Sequence, residues 1–334
     1  MEMKSLLATR QRLLRLQLNH SKSLDSILSK ILLAHLSLFF VNTLYGASHV
    51  LAKGVMPKYL TPNVFILFRA LGATVLFWLV CLLYGRNKIE RTDYLRLLGC
   101  GFFGVALNQL CFFHGLNLSS AINSGIIMAF NPIIVVILSY FILKDKITLT
   151  QAIGIFLGSS GAILLTLTAG TGKGDSVQGD MLLFINSASY AIYLVMAKPL
   201  MQKYSPLTVI TWVFTIGAVF VLLFPPLWGD LSSTNLQHIP TDIWLKIVYV
   251  IVGVTFMTYL LTMFGLKYLS PSVSSTYIYF QPVQVMLFAY LFTTLGIADD
   301  YTATITWQKI IYMLIIFVGV YIASRKTLNF RLKA

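Results

Sequence analysis

Apolar residues fall into ten long runs separated by short polar connections, near residues 31–52, 63–84, 95–114, 121–143, 151–169, 180–198, 207–228, 245–266, 273–295 and 307–324. A helix needs about 20 residues to cross a bilayer core, so the pattern predicts ten membrane-spanning helices. The longest connections inside this region, Gly170–Gly179 and Gly229–Trp244, are too short for an added soluble domain.

The runs are not independent. GLNLSSAINSGIIMAFNPIIVVILSY, from Gly115 to Tyr140, returns 150 positions later as GLKYLSPSVSSTYIYFQPVQVMLFAY, from Gly265 to Tyr290, without a gap. Gly115/Gly265, Ser124/Ser274, Phe130/Phe280, Pro132/Pro282 and Tyr140/Tyr290 coincide, and Asn131 corresponds to Gln281, an amide for an amide. At an offset of 145, Tyr45/Tyr190, Ala52-Lys53/Ala197-Lys198, Lys58-Tyr59/Lys203-Tyr204 and Gly72-Ala73/Gly217-Ala218 coincide. The expected organisation is a five-helix repeat over 31–169, a linker at 170–179 and a second five-helix repeat over 180–324, flanked by basic segments at 1–30 and 325–334. Five is odd, so the second unit enters the membrane from the opposite side, and the repeat is inverted.

Composition fits this plan. Apolar residues make up 57% of the 334 and charged residues 11%, against about 25% charge in soluble domains. The net charge of +14 does not point to nucleic acid, because the basic residues lie between apolar runs. Lys53, Lys58, Lys173, Lys246 and Lys309 fall on one side of the membrane and the remaining loop cations on the other, which sets both termini in the cytoplasm. Residues 1–30 read as a segment along the headgroups or as an organelle-targeting segment, which shares that composition. Cys81, Cys100 and Cys111 sit in apolar runs, against a disulfide framework.

None of the 11 Asp and Glu lies well inside a run, although Asp93, Asp145 and Asp180 lie near run ends. Membrane carboxylates mark proton relays and cation paths, so their absence predicts a neutral, zwitterionic or anionic solute. Arg69, about two turns inside the second run, either pins its helix or meets a substrate carboxylate or gate. Asn42, Tyr45, His49 and Lys53 share one helix face, and Asn186, Tyr190, Tyr193 and Ala197 form the equivalent stripe. Such stripes face other helices or a cavity. His49 and His114 are either hydrogen-bonded packing residues or proton carriers. Asn131 and Gln281 precede prolines that free backbone carbonyls, at Met128 and Ile278, which makes Pro132 and Pro282 either kinks or substrate-facing breaks. Asn108 and Thr258 are equivalent positions of the third and eighth runs. The candidate substrate-binding set is therefore Tyr45, His49, Asn108, Asn131, Tyr190, Tyr193, Thr258, Tyr277 and Gln281, with Arg69, Pro132 and Pro282 as gating or structural residues.

Ala52-Lys53 and Ala197-Lys198, Phe68-Arg69-Ala70, the Gly115–Pro132 stretch, the Lys144-Asp145-Lys146 turn and Gly154, Gly158 and Gly161 together resemble an EamA-type member of the drug/metabolite transporter superfamily, over roughly residues 31–326. The turn from Thr294 to Thr304 departs from the pattern: Asp299-Asp300 stands near the point where the family often has a glutamate. The resemblance implies an all-α integral membrane protein of the cell inner membrane, working as a secondary exporter of amino-acid-like metabolites. Phosphate-loop, metalloprotease and nucleophile-elbow motifs are missing. The expectation is therefore no catalysis, cofactor or metal, with the lipid bilayer and a small metabolite as partners, in a monomer or homodimer. A non-transporting scaffold, an integral-membrane enzyme and a passive channel are the competing classes.

Overall fold

The computed structural model describes residues 27–48, 51–52, 55–85, 87–118, 127–128, 131–168, 177–297 and 307–330. His49, Lys53, Ser124, Asp299 and Asp300 lie outside the described residues, as do residues 1–26 and most of the Gly170–Gly179 connection. No strand occurs among the described residues.

In chain order the principal helices are α1 (Ile27–Ser48), α2 (Pro62–Tyr84), α3 (Arg91–Leu118), α4 (Asn131–Leu143), α5 (Leu149–Thr168), α6 (Val177–Lys203), α7 (Pro206–Leu222), α8 (Thr241–Tyr268), α9 (residues 271–294) and α10 (Trp307–Phe330). Each of α1, α2, α3, α6 and α8 is long and apolar enough to cross a membrane, and α7 with the short helix Pro226–Ser233 makes a sixth when that bent pair is one span. The seventh apolar run therefore does not continue straight to Trp228: it bends by 79° after Leu222. Pro225 and Pro226 lack the N–H groups that would carry the ladder on.

Three helices start on the same local chemistry. Thr61, Ser205 and Ser270 each precede a proline, and each side-chain oxygen accepts from the backbone N–H three residues on. The hydroxyl satisfies one orphan donor of the first turn, while proline has no N–H to leave unpaired there. Both α3 and α8 contain a π-helical stretch, Phe102–Ala106 and Val250–Met257, and the first maps at an offset of 150 onto residues 252–256, inside the second. The widened turn exposes carbonyls, and Ser189 Oγ donates to Phe103 O at 2.6 Å.

The helices pair mainly as α2 on α7, α5 on α10 and α3 on α6. Close approaches recur at equivalent places. A Cβ on Gly115 would stand 2.8 Å from Leu183, and a Cβ on Gly265 would stand 2.8 Å from Leu38. Gly265 follows Gly115 by 150 positions, and Leu183 follows Leu38 by 145. Likewise Gly72 abuts Ile251, while Gly217 abuts Val105 and the carbonyl of Gly101.

Polar contacts gather at the two ends of the bundle. At one end Lys203 Nζ reaches Asp93 at 2.9 Å and Glu90 at 3.3 Å, and Tyr204 donates to Asp93 at 2.7 Å. Nearby, Lys198 Nζ donates to the carbonyls of Leu266 and Leu269, both at 2.6 Å, capping the end of α8. At the other end His114 Nε2 donates to Asn63 Oδ1 at 2.7 Å, and Asn63 donates to Asp230 at 2.9 Å. His114 is thus hydrogen-bonded where α3 meets α2.

Candidate functional site

A cavity of ≈ 100 Å³ lies between the helices of the two repeats, with walls from α1, α2, α3, α6, α8 and α9 and from Met128. Drug-sized pockets run to about 300–1,000 Å³, so this is space for a small solute. Its wall brings together Tyr45, Arg69, Asn108, Tyr190 and Gln281 from the sequence-derived candidates. Tyr45 and Tyr190 enter it from equivalent positions of α1 and α6.

The amide-proline pairs carry the wall. Gln281 Nε2 donates to Asn42 Oδ1 at 3.0 Å, tying α9 to α1. Asn131 Nδ2 donates to Ser187 O at 2.7 Å, tying α4 to α6. Asn131 and Gln281 are 150 apart and Asn42 and Ser187 are 145 apart, so equivalent positions are bonded in both units, through a side-chain oxygen at Asn42 and a backbone carbonyl at Ser187. The outcomes differ, because Gln281 stays in the cavity wall while Asn131 is 1% exposed and lies behind it. Before Pro282 the helix tightens to a 3-10 turn over Tyr277–Phe280, and α9 resumes at Gln281. Pro282 then sits where its missing N–H breaks no ladder. Pro132 is buried in the first turn of α4. Neither proline lines the cavity.

Thr258, Tyr193 and Tyr277 also stand outside the wall. Thr258 donates to Val254 O and accepts from Tyr45 OH at 3.1 Å, so it orients a wall residue from behind. Tyr193 is fully buried, its ring seated on Gly104, where a Cβ would come within 2.4 Å. Tyr277 OH bonds His35 Nδ1 at 2.6 Å between α9 and α1.

Tyr259 and Gln109 line the cavity but were not in the candidate set. Tyr259 OH donates to Gly104 O at 3.0 Å. Asn108 and Asn186 clasp α3 to α6, since Asn186 Nδ2 donates to Asn108 O at 2.8 Å and Asn108 Nδ2 to Asn186 O at 3.4 Å. Arg69 is 5% exposed. Its Nε donates to Thr255 Oγ1 at 3.0 Å, and its guanidinium carbon sits 4.5 Å from the Phe113 ring centroid. The side chain therefore turns inward rather than out to the headgroups.

The sequence signature of the EamA-like transporter family matches residues 29–167 and, a second time, 177–325. The chain belongs to the EamA-like transporter family. Curated relatives agree. The uncharacterized transporter YyaM of Bacillus subtilis is 29% identical over 251 residues, covering 73% of this chain and 81% of that one. YetK of the same species, also an uncharacterized transporter, is 28% identical over 262 residues, covering 76% and 78%. A WAT1-related chloroplastic protein of Arabidopsis thaliana is 24% identical over 262 residues, covering 74% and 61%. A solved crystal structure superposes with a TM-score of 0.66 at 16% identity, over 92% of this chain and 99% of that one. That likeness concerns the fold alone. As an EamA-like protein with several apolar helices, the chain is a multi-pass membrane transporter.

Proposed function

We propose that this EamA-like protein is a secondary exporter of small neutral, zwitterionic or anionic metabolites, working by alternating access. Ten spans form two five-helix units of opposite orientation, with both termini in the cytoplasm. The units rock about the cavity, opening it to one side of the membrane and then to the other. Tyr45, Asn108, Tyr190 and Gln281 contact the solute, while Asn131 and Thr258 hold their helices in register.

The carrying observation is the pair of bonds between equivalent positions of the two units, Asn131 to Ser187 and Gln281 to Asn42, the second of them in the cavity wall. Two family matches in one chain support the duplication. The lack of Asp and Glu among the described residues that line the cavity supports a solute without net positive charge. Export is the direction that the family resemblance implies.

The test is counterflow in proteoliposomes with labelled amino acids and small organic acids. Saturable counterflow that Gln281→Leu abolishes supports the proposal. Linear, non-saturating flux indicates a channel, and absence of flux and of solute-induced stabilisation across the panel favours a scaffold.

A further inference from the structure

Arg69 is the charged residue of the cavity wall among the described residues. It hydrogen-bonds through Nε to Thr255, and none of the described ion pairs involves it. A guanidinium has five N–H donors in a planar fork. Four of them sit on the Nη edge, and among the described residues that edge makes no hydrogen bond. A buried cation without a counter-charge is strongly disfavoured, and an anion held in bidentate fashion relieves it.

The repeat supplies an internal control on the bland explanation that Arg69 pins helices. Its equivalent 145 positions on is Phe214, and the equivalent of Thr255 150 positions back is Val105. Both helix junctions are built, α2 against α8 and α7 against α3. At the second junction Phe214 is fully buried in one apolar cluster with Val105 of α3, with the rings of Phe77 on α2 and Tyr259 on α8 at 5.1 and 4.7 Å between centroids. The scaffold thus closes with an apolar ring at one junction, so packing alone does not require a cation at the other.

One cation suits one negative charge. The rest of the wall offers uncharged donors and acceptors together with apolar surface such as Phe112, Leu194 and Ile278. A dicarboxylate or a phosphate dianion would bring a second charge that meets no partner there.

Resting on the transport-site reading above, we propose that Arg69 is the anion-binding group of the cavity and that its ligands are small monocarboxylates with an uncharged remainder. The carboxylate sits on the Nη edge of Arg69, and the remainder lies against the apolar wall.

The probes are acetate, propionate, lactate and pyruvate, their neutral amides, and malonate, with purified full-length protein at constant ionic strength. The readouts are ligand-induced thermal stabilisation and proteoliposome flux. At least one monocarboxylate stabilises the wild type more than its amide or malonate does. Arg69→Phe, the side chain that the second unit uses, weakens that response by at least about thirtyfold, the lower end for truncating one partner of a buried charge pair. Arg69→Lys retains part of it. Equal responses to acid and amide in the wild type, or to none of the acids, overturn the proposal, as does an unchanged acid preference in Arg69→Phe. If Arg69→Phe does not fold, the wild-type acid-to-amide ratio and Arg69→Lys decide. Saturable flux without acid preference sinks this inference and leaves transport standing. Arg69-dependent acid binding without flux of any solute does the reverse.

Discussion

Substituting Gly319 with alanine tests the packing on which the paired units depend. The added Cβ would stand 2.4 Å from Gly158 N, 2.7 Å from Gly158 Cα and 2.9 Å from Gly154 O. All three atoms are backbone of the facing helix α5, so no rotamer change relieves the overlap. Ordinary contact begins near 3.4 Å, so α5 and α10 must part locally by about 1 Å. A gap of about 0.5–1 Å already forfeits a quarter to a half of each neighbouring contact, and overpacking costs about 1–3 kcal/mol. At about 2–4 °C per kcal/mol, the midpoint should fall by roughly 2–12 °C. Unfolding can be followed with a thiol-reactive fluorophore, because Cys81, Cys100 and Cys111 are free and buried. Gly229→Ala is the control, since nothing lies within 4 Å of its added Cβ. If Gly319→Ala melts with Gly229→Ala, the close α5–α10 contact is wrong.

Four other substitutions have defined outcomes. Gln281→Leu and Asn131→Leu each delete an interhelical hydrogen bond, so each should lower stability by about 1 kcal/mol, but Gln281→Leu should also remove flux while Asn131→Leu retains it; melting curves and counterflow on both variants separate the two roles. Lys198→Met, which strips a charged donor from the carbonyls of Leu266 and Leu269, should cost about 1.5–3 kcal/mol in the same melting assay. Asp145 lies in the connection between α4 and α5, and burial raises its carboxyl above the usual range, with the Lys198 charge offsetting part of the rise. A raised acid pKa means that the folded state disfavours the carboxylate, so the penalty is present at neutral pH and vanishes as pH falls below the ordinary pKa of about 4. Asp145→Asn should therefore raise the midpoint at neutral pH and match the wild type in acid; a melting series across pH checks the sign.

Much of the architecture was legible because a bilayer enforces it. Apolar runs mark helices with little competing signal, and the repeat aligns Asn131 with Gln281. The pattern suggests that these amides serve the carbonyls freed by the prolines or a substrate, whereas they bond across to α6 and α1. Side-chain direction was less legible. Thr258 stands 150 positions after Asn108, and a π-helical stretch precedes both, yet Asn108 lines the cavity while on α8 it is Tyr259 that does so, with Thr258 behind Tyr45. The residues that pack around each helix, which lie far off in the chain, decide which side chain reaches the wall. Tyr190 and Tyr193 are chemically alike and one turn apart. What separates them is Gly104 on α3, which has no side chain and admits the Tyr193 ring into the packed interior. No signal within α6 reveals that neighbour. For Arg69 the sequence left pinning and ligand contact open, and the turn of the side chain toward Thr255 and Phe113 gave its direction.

The opposed orientation of the two units can be measured directly. Lys146 is exposed in the connection after α4, and Ile297, 48% exposed, comes just after α9. In intact cells, with Cys81, Cys100 and Cys111 replaced, a membrane-impermeant thiol reagent should label Ile297→Cys from outside and reach Lys146→Cys only after permeabilisation. Labelling of both from the same side would contradict an inverted pair of five-helix units and the alternating-access cycle built on it.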